Sequence, residues 1–85
     1  MNYKVIIERK AEKEALKIPL PFRTNIDKAI LNLSQNPRPP GCKKLTDKEG
    51  YRIRVADYRI LYTIDDRSKM VVVYRIKIRG KDTYK

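Results

Sequence analysis

Residues 51–62 read Tyr-Arg-Ile-Arg-Val, Ala-Asp, Tyr-Arg-Ile-Leu-Tyr, so apolar and cationic side chains alternate with a period of two around a short break. Successive side chains of a strand point to opposite faces. Tyr51, Ile53 and Val55 therefore share one face and Arg52 and Arg54 the other; after a reversal at Ala56-Asp57 the set Tyr58, Ile60, Tyr62 and Ile64 continues the apolar face. Such a hairpin has one face to bury and one to leave open, because a one-residue slip would carry the arginines into the core. The fold must cover one side of an antiparallel sheet and expose the other. Ala-Asp is not one of the strong Asn-Gly or Asp-Gly turn signals, so the alternation on either side carries the prediction.

The cover comes from the N-terminal half. Residues 3–7, Tyr-Lys-Val-Ile-Ile, are short and rich in β-branched side chains, as expected of a strand entering a core. From Glu8 the composition turns to helix formers, and over residues 8–18 Ala11, Ala15, Leu16 and Ile18 mark one face while Lys10, Lys13, Glu14 and Lys17 face water. Pro19 and Pro21 interrupt that helix. Pro21 suits the first turn of a second one over residues 21–33, where Phe22, Ile26, Ala29, Ile30 and Leu33 recur at helical spacing. The run Asn36-Pro37-Arg38-Pro39-Pro40-Gly41 ends it. Beyond the hairpin, a polar turn at residues 65–69 leads to a third strand at residues 70–78, where strict alternation sets Val72, Tyr74, Ile76 and Ile78 against Val71, Val73, Arg75 and Lys77. The order of N-terminal strand, two-helix hairpin and antiparallel β-meander predicts an α+β fold with helices packed on one sheet face. With 85 residues and no repeat, low-complexity segment or linker, the chain is expected to form one domain over residues 1–85.

The charge balance narrows the partners. A formal net charge of +11 on this short chain points to a polyanion, nucleic acid ahead of an anionic membrane or an acidic protein. Residues 1–40 hold 8 basic and 4 acidic side chains and residues 41–85 hold 13 and 6, so the excess leans towards the C-terminal half. Cys42 stands alone, which excludes an intramolecular disulfide, and the absence of histidine excludes an ordinary zinc site. No apolar run approaches the roughly 20 residues of a membrane span, and the N-terminus lacks the pattern of a signal peptide. A cytoplasmic protein with an incidental reduced thiol and no membrane partner is expected.

Period-two spacing places Arg52 with Arg54, and Arg75 with Lys77 and Arg79, in cationic rows that Arg59 joins from the neighbouring strand. A solvated outer sheet face is commonly polar, but it normally mixes signs, since like charges facing one another across strands are destabilising. Here Asp57 is the only acid within residues 51–64, and residues 75–79 contain none. That surface suits phosphates. Any phosphate chemistry on it would fall to arginine, lysine and tyrosine. Tyr51, Tyr58, Tyr62 and Tyr74 lie in phase with aliphatic neighbours and are expected in the core. Tyr84 lies instead in a charged terminal run, where it either stacks on a base or packs loosely on the sheet.

Gly41-Cys42-Lys43-Lys44-Leu45, the block Gly50-Tyr51-Arg52-Ile53-Arg54-Val55-Ala56-Asp57-Tyr58-Arg59-Ile60-Leu61-Tyr62, and Val71-Val72-Val73 with a basic, tyrosine-ended tail together resemble the RelE/ParE toxin superfamily, specifically its RelE-type mRNA interferases. The resemblance spans nearly the whole chain. The hairpin block carries its specificity, and the N-terminal half matches in pattern alone. It implies a RelE-like, microbial-ribonuclease-type fold and the toxin of a type II toxin–antitoxin system. The implied activity is a ribosome-dependent, metal-independent endoribonuclease that cuts mRNA in the A site by attack of the substrate's own 2′-hydroxyl, leaving a 2′,3′-cyclic phosphate and a 5′-hydroxyl. No cofactor is implied. The implied partners are the ribosome, mRNA and a cognate RelB-like antitoxin, the last in an oligomeric complex. By motif position Arg52 and Arg54 fall where the family places basic strand residues, Arg59 matches its central arginine, and Arg79 and Tyr84 approximate its C-terminal arginine and tyrosine.

The implied chemistry divides these residues by role. In-line displacement at phosphorus needs charge neutralised on the phosphate oxygens, and the arginine forks of Arg54, Arg59 and Arg79 are the candidates. A base and an acid are needed too, and a guanidinium with a pKa above about 12 is poorly suited to either. Tyr84, its pKa lowered by surrounding cations, is the candidate base, with Lys81 or Lys77 assisting. Lys43, Lys44, Arg52, Arg75, Lys77 and Lys81 are the expected RNA contacts. Some members carry lysine where Arg52 and Arg54 stand, so these arginines are assigned phosphate clamping. Many also carry histidine before the C-terminal arginine, where Ile78 stands here. Two other classes use such a face: a ParE-like toxin that poisons DNA gyrase without cutting RNA, and a non-catalytic basic nucleic-acid-binding module.

Overall fold

The alternating segments pair as their patterns require. In the computed structural model, which describes residues 2–46 and 48–78, the chain runs β1 (Lys4–Ile7), α1 (Arg9–Leu16), α2 (Leu20–Asn32), β2 (Lys43–Lys44), β3 (Tyr51–Val55), β4 (Tyr58–Asp65) and β5 (Met70–Ile78). The strands form one sheet in the order β1-β5-β4-β3-β2. β3, β4 and β5 are the antiparallel meander, with Val55 paired to Tyr58 across the Ala56-Asp57 turn. Two pairings go beyond the sequence reading: β1 lies parallel to β5, and the two-residue β2 extends the opposite edge beside β3. The helices carry the chain from the first edge to the second. Pro21 sits in the first turn of α2, where its missing N–H is one the helix would leave unbonded anyway.

One face of the sheet is sealed by those helices. Ala11 of α1, Ile18 of the connection, and Ile26, Ile30 and Leu33 around α2 meet Ile53, Ile60, Tyr62, Val71, Val73 and Ile76 of the sheet. Full burial of each large aliphatic or aromatic side chain is worth about 1.5–3 kcal/mol. Ala11, Ala15 and Ile18 form the buried stripe, whereas Leu16, expected on it, lies off that line and is 67% exposed. Phe22, also expected in the core, is 45% exposed and leans on Tyr58 with ring centroids 6.2 Å apart.

The third strand departs from strict alternation. Leu61 registers with Arg75 and Tyr62 with Val73, so Tyr74 is the extra residue of a bulge. Before it, Val73 and Val71 share the core face with Tyr62 and Ile64; after it, Ile76 and Ile78 take that face opposite Ile60 and Tyr58. The expected opposition of Val71 and Val73 to Ile76 is thereby corrected, and so is the expected core position of Tyr74. Its hydroxyl and the Leu45 side chain converge over Gly50, on the opposite face. Gly50 has φ +133°, and a Cβ there would meet the Tyr62 carbonyl oxygen at 3.0 Å, so this crossing requires glycine.

Candidate nucleic-acid interface

With one face sealed, the register of β2 to β5 decides which cations meet on the other. Arg54 pairs with Arg59, and Arg59 with Lys77, which places three cations side by side across three strands. A second row runs Lys43, Arg52, Leu61, Arg75. Adjacent strands lie about 4.8 Å apart, so the first row is a continuous strip of charge, whereas Leu61 interrupts the second. Arg59 is the inner member. It is partly buried, and its Nε is enclosed without a hydrogen-bond partner among the described residues.

Beside these rows lies a cleft of ≈ 300 Å³ lined by Pro40, Gly41, Lys43, Arg52, Ile53 and Arg54. Its far wall is the proline-rich segment after α2, held in place by one buried hydrogen bond and a set of exposed polar contacts. Tyr62 Oη donates to the Pro37 carbonyl at 2.7 Å from a fully buried side chain. Burial pushes the Tyr62 hydroxyl's pKa up, and Cys42 beside it adds to the rise, so it stays a donor. Arg38 clamps the same segment from outside: it donates to Asp66 at 2.9 and 3.3 Å and to Tyr51 Oη at 3.3 Å, with its guanidinium 5.2 Å from the Tyr51 ring centre. Tyr3 Oη also donates to Asp66, at 2.6 Å. The hydrogen bonds from Arg38 and then Tyr3 hold the Asp66 carboxyl down at about 2. Nothing in the spacing of Tyr3, Arg38 and Asp66 announced this cluster.

The expected contact residues are not all brought together. Lys43, Arg52, Arg54, Arg59 and Lys77 share the open face. Lys44 registers with Tyr51, in the phase of the helix-covered side, so the Lys43-Lys44 pair is split between the two faces. Arg75 is in register with the second row, but its Nε is 2.9 Å from Glu14 Oε2 of α1, in an ion pair whose side chains are 31% and 23% exposed. Arg79, Lys81 and Tyr84 lie outside the described residues.

The arrangement also has relatives. Residues 5–83 match the family of ParE toxins of type II toxin–antitoxin systems, parDE. No curated protein matches this chain. Among solved structures, the toxin–antitoxin complex RelBE2 of Mycobacterium tuberculosis includes a chain 27% identical to this one, with a TM-score of 0.82 over 93% of this chain and 100% of that one. The archaeal RelE–RelB complex of Pyrococcus horikoshii superposes with a TM-score of 0.84 at 25% identity, covering 95% and 99% of the two chains. A mutant E. coli toxin RelE bound to a RelBc antitoxin peptide gives 0.78 at 26% identity, covering 99% and 92%. The helix-covered mixed sheet is thus a fold shared with RelE toxins, and the chain belongs to the ParE toxin family of type II toxin–antitoxin systems, within the RelE/ParE superfamily.

Proposed function

We propose that this toxin is a ribosome-dependent mRNA endonuclease that cuts translated messages in the A site by attack of the 2′-hydroxyl on the adjacent phosphate. The observation that carries the reading is the Arg54, Arg59, Lys77 row, three cations in lateral register across β3, β4 and β5. Such a row favours a phosphate, and most of all one gaining charge in a transition state. Arg54 and Arg59, with Arg79, clamp the phosphate oxygens, and Tyr84 exchanges the proton, assisted by Lys77 or Lys81. Lys43 and Arg52 guide the strand along the cleft, from which Lys44, in the opposite phase of β2, and Arg75, paired with Glu14, stand apart. Identities of 25–27% to chains of RelE–RelB type complexes support a RelB-like antitoxin as partner and the interferase branch as the activity. No helix among the described residues is long and apolar enough to cross a membrane. A one-domain protein over residues 1–85, acting in the cytoplasm where messages are translated, completes the reading.

The test is primer extension on messages recovered after the toxin is expressed without antitoxin. Cuts inside translated codons, lost when Arg59 is replaced by alanine, are expected. A second reading is favoured by the family description itself: a ParE-like toxin that poisons gyrase and leaves RNA whole. Induction of the DNA-damage response with intact messages would establish it in place of the nuclease.

A further inference from the structure

β5 outlasts its neighbour. β1 ends at Ile7, in register with Val73, and the Glu8 N–H closes that ladder on the Val73 carbonyl at 2.9 Å. Past the bulge at Tyr74, β5 keeps β4 on one side and, among the described residues, has no strand on the other. Glu14 of α1 fills the gap. Its Oε1 accepts the Ile76 backbone N–H at 2.7 Å and its Oε2 accepts Arg75 Nε at 2.9 Å. One carboxylate stands in for a missing ladder residue, through charge-assisted bonds about twice as strong as neutral ones. The next residue, Lys77, ends the row formed with Arg59 and Arg54.

We propose that Glu14 is a positioning residue: by pinning the β5 backbone at Ile76 it holds Lys77 in line with Arg59 and Arg54, and so sets the width of the phosphate-binding row. Its consequence for RNA, though not its geometry, rests on the nuclease reading above. Glu14 also draws the Arg75 guanidinium into an ion pair at the β5 margin, so its removal both loosens Lys77 and releases Arg75. A cycle of Glu14→Ala and Lys77→Ala separates the two effects, because the release of Arg75 is common to both backgrounds and cancels.

The experiment measures binding of a 2′-O-methyl single-stranded RNA, which cannot be cut, to the full chain at low salt, with amide exchange of the free protein alongside. Glu14→Ala is expected to weaken binding about fivefold more in the wild-type background than in Lys77→Ala. Amide exchange at Ile76 and Lys77 should quicken about tenfold or more in Glu14→Ala while the core strands keep their protection. Glu14→Gln, which retains an acceptor for the Ile76 N–H, should restore most of both, and it carries the test if the alanine variant does not fold. Equal losses in the two backgrounds, or unchanged exchange at Ile76, would overturn the assignment. Failure of the wild-type protein to bind RNA, with exchange still responding to Glu14, would remove the RNA reading and the stated purpose of the row but leave the backbone pinning established.

Discussion

Arg59→Met should make this protein more stable and at the same time abolish its activity. Arg59 stands between Arg54 and Lys77 in the sheet register, and its Nε is enclosed without a partner among the described residues. Like charges facing across strands cost about 0.2–1 kcal/mol per pair, so its two neighbours oppose folding by about 0.4–2 kcal/mol. An enclosed donor left unmade adds about 1–3 kcal/mol. Methionine removes both costs and keeps an unbranched apolar stem in the same space. Some of the gain is offset by repacking, which leaves an expected stabilisation of about 1–3 kcal/mol. For a chain of this length that raises Tm by about 5–20 °C. The assay is thermal and urea unfolding in roughly 20 mM and 500 mM salt, since added salt shortens the screening length below the reach of neighbouring strands. The wild type should gain more from salt than the variant. If Arg59→Met is no more stable than wild type at low salt, the guanidinium is already satisfied within the folded chain, and its reservation for a phosphate falls.

Three further outcomes test the scaffold of the cleft. Tyr62→Phe deletes the buried 2.7 Å bond to the Pro37 carbonyl and leaves that oxygen without its donor, so a loss of about 1–2 kcal/mol in urea unfolding is expected; an unchanged midpoint would show that the proline-rich wall is held by other contacts. Gly50→Ala puts a methyl 3.0 Å from the Tyr62 carbonyl at φ +133°, and a cost of about 2 kcal/mol or more should appear as a lower Tm, wild-type stability refuting the crowding. Asp66 titrates at about 2 in the folded chain against an ordinary 3.8, so its contribution is complete above pH ~4 and is lost as pH falls through about 2. Tm should therefore drop more steeply over that interval in the wild type than in Asp66→Asn, and parallel curves would count against the Arg38 clamp.

The hairpin and the helix pattern were legible because burial imposes a period on sequence. Alternation at Tyr51, Ile53, Tyr58, Ile60 and Tyr62, and helical spacing at Ile26, Ile30 and Leu33, are local patterns that a single covered face enforces. The same periodicity marked Arg52, Arg54 and Arg59 as outward, and the absence of histidine confined any phosphate chemistry to arginine, lysine and tyrosine. What remained hidden depended on contacts between distant segments. Three consecutive valines are apolar in either phase, so only the docking of β5 between β1 and β4 shows that Val71 and Val73 face inward and that a bulge at Tyr74 resets the strand. Register across strands, not position along one, aligned Lys77 with Arg59 and put Lys43 rather than Lys44 on the open face. The partners of Arg38 and Arg75 lie 28 and 61 residues away in the chain. The sequence alone determined which side chains could be buried and which had to face outward; tertiary structure decided which cations stand together, because Coulomb and hydrogen-bond energies depend on distance in space and leave no period in the chain.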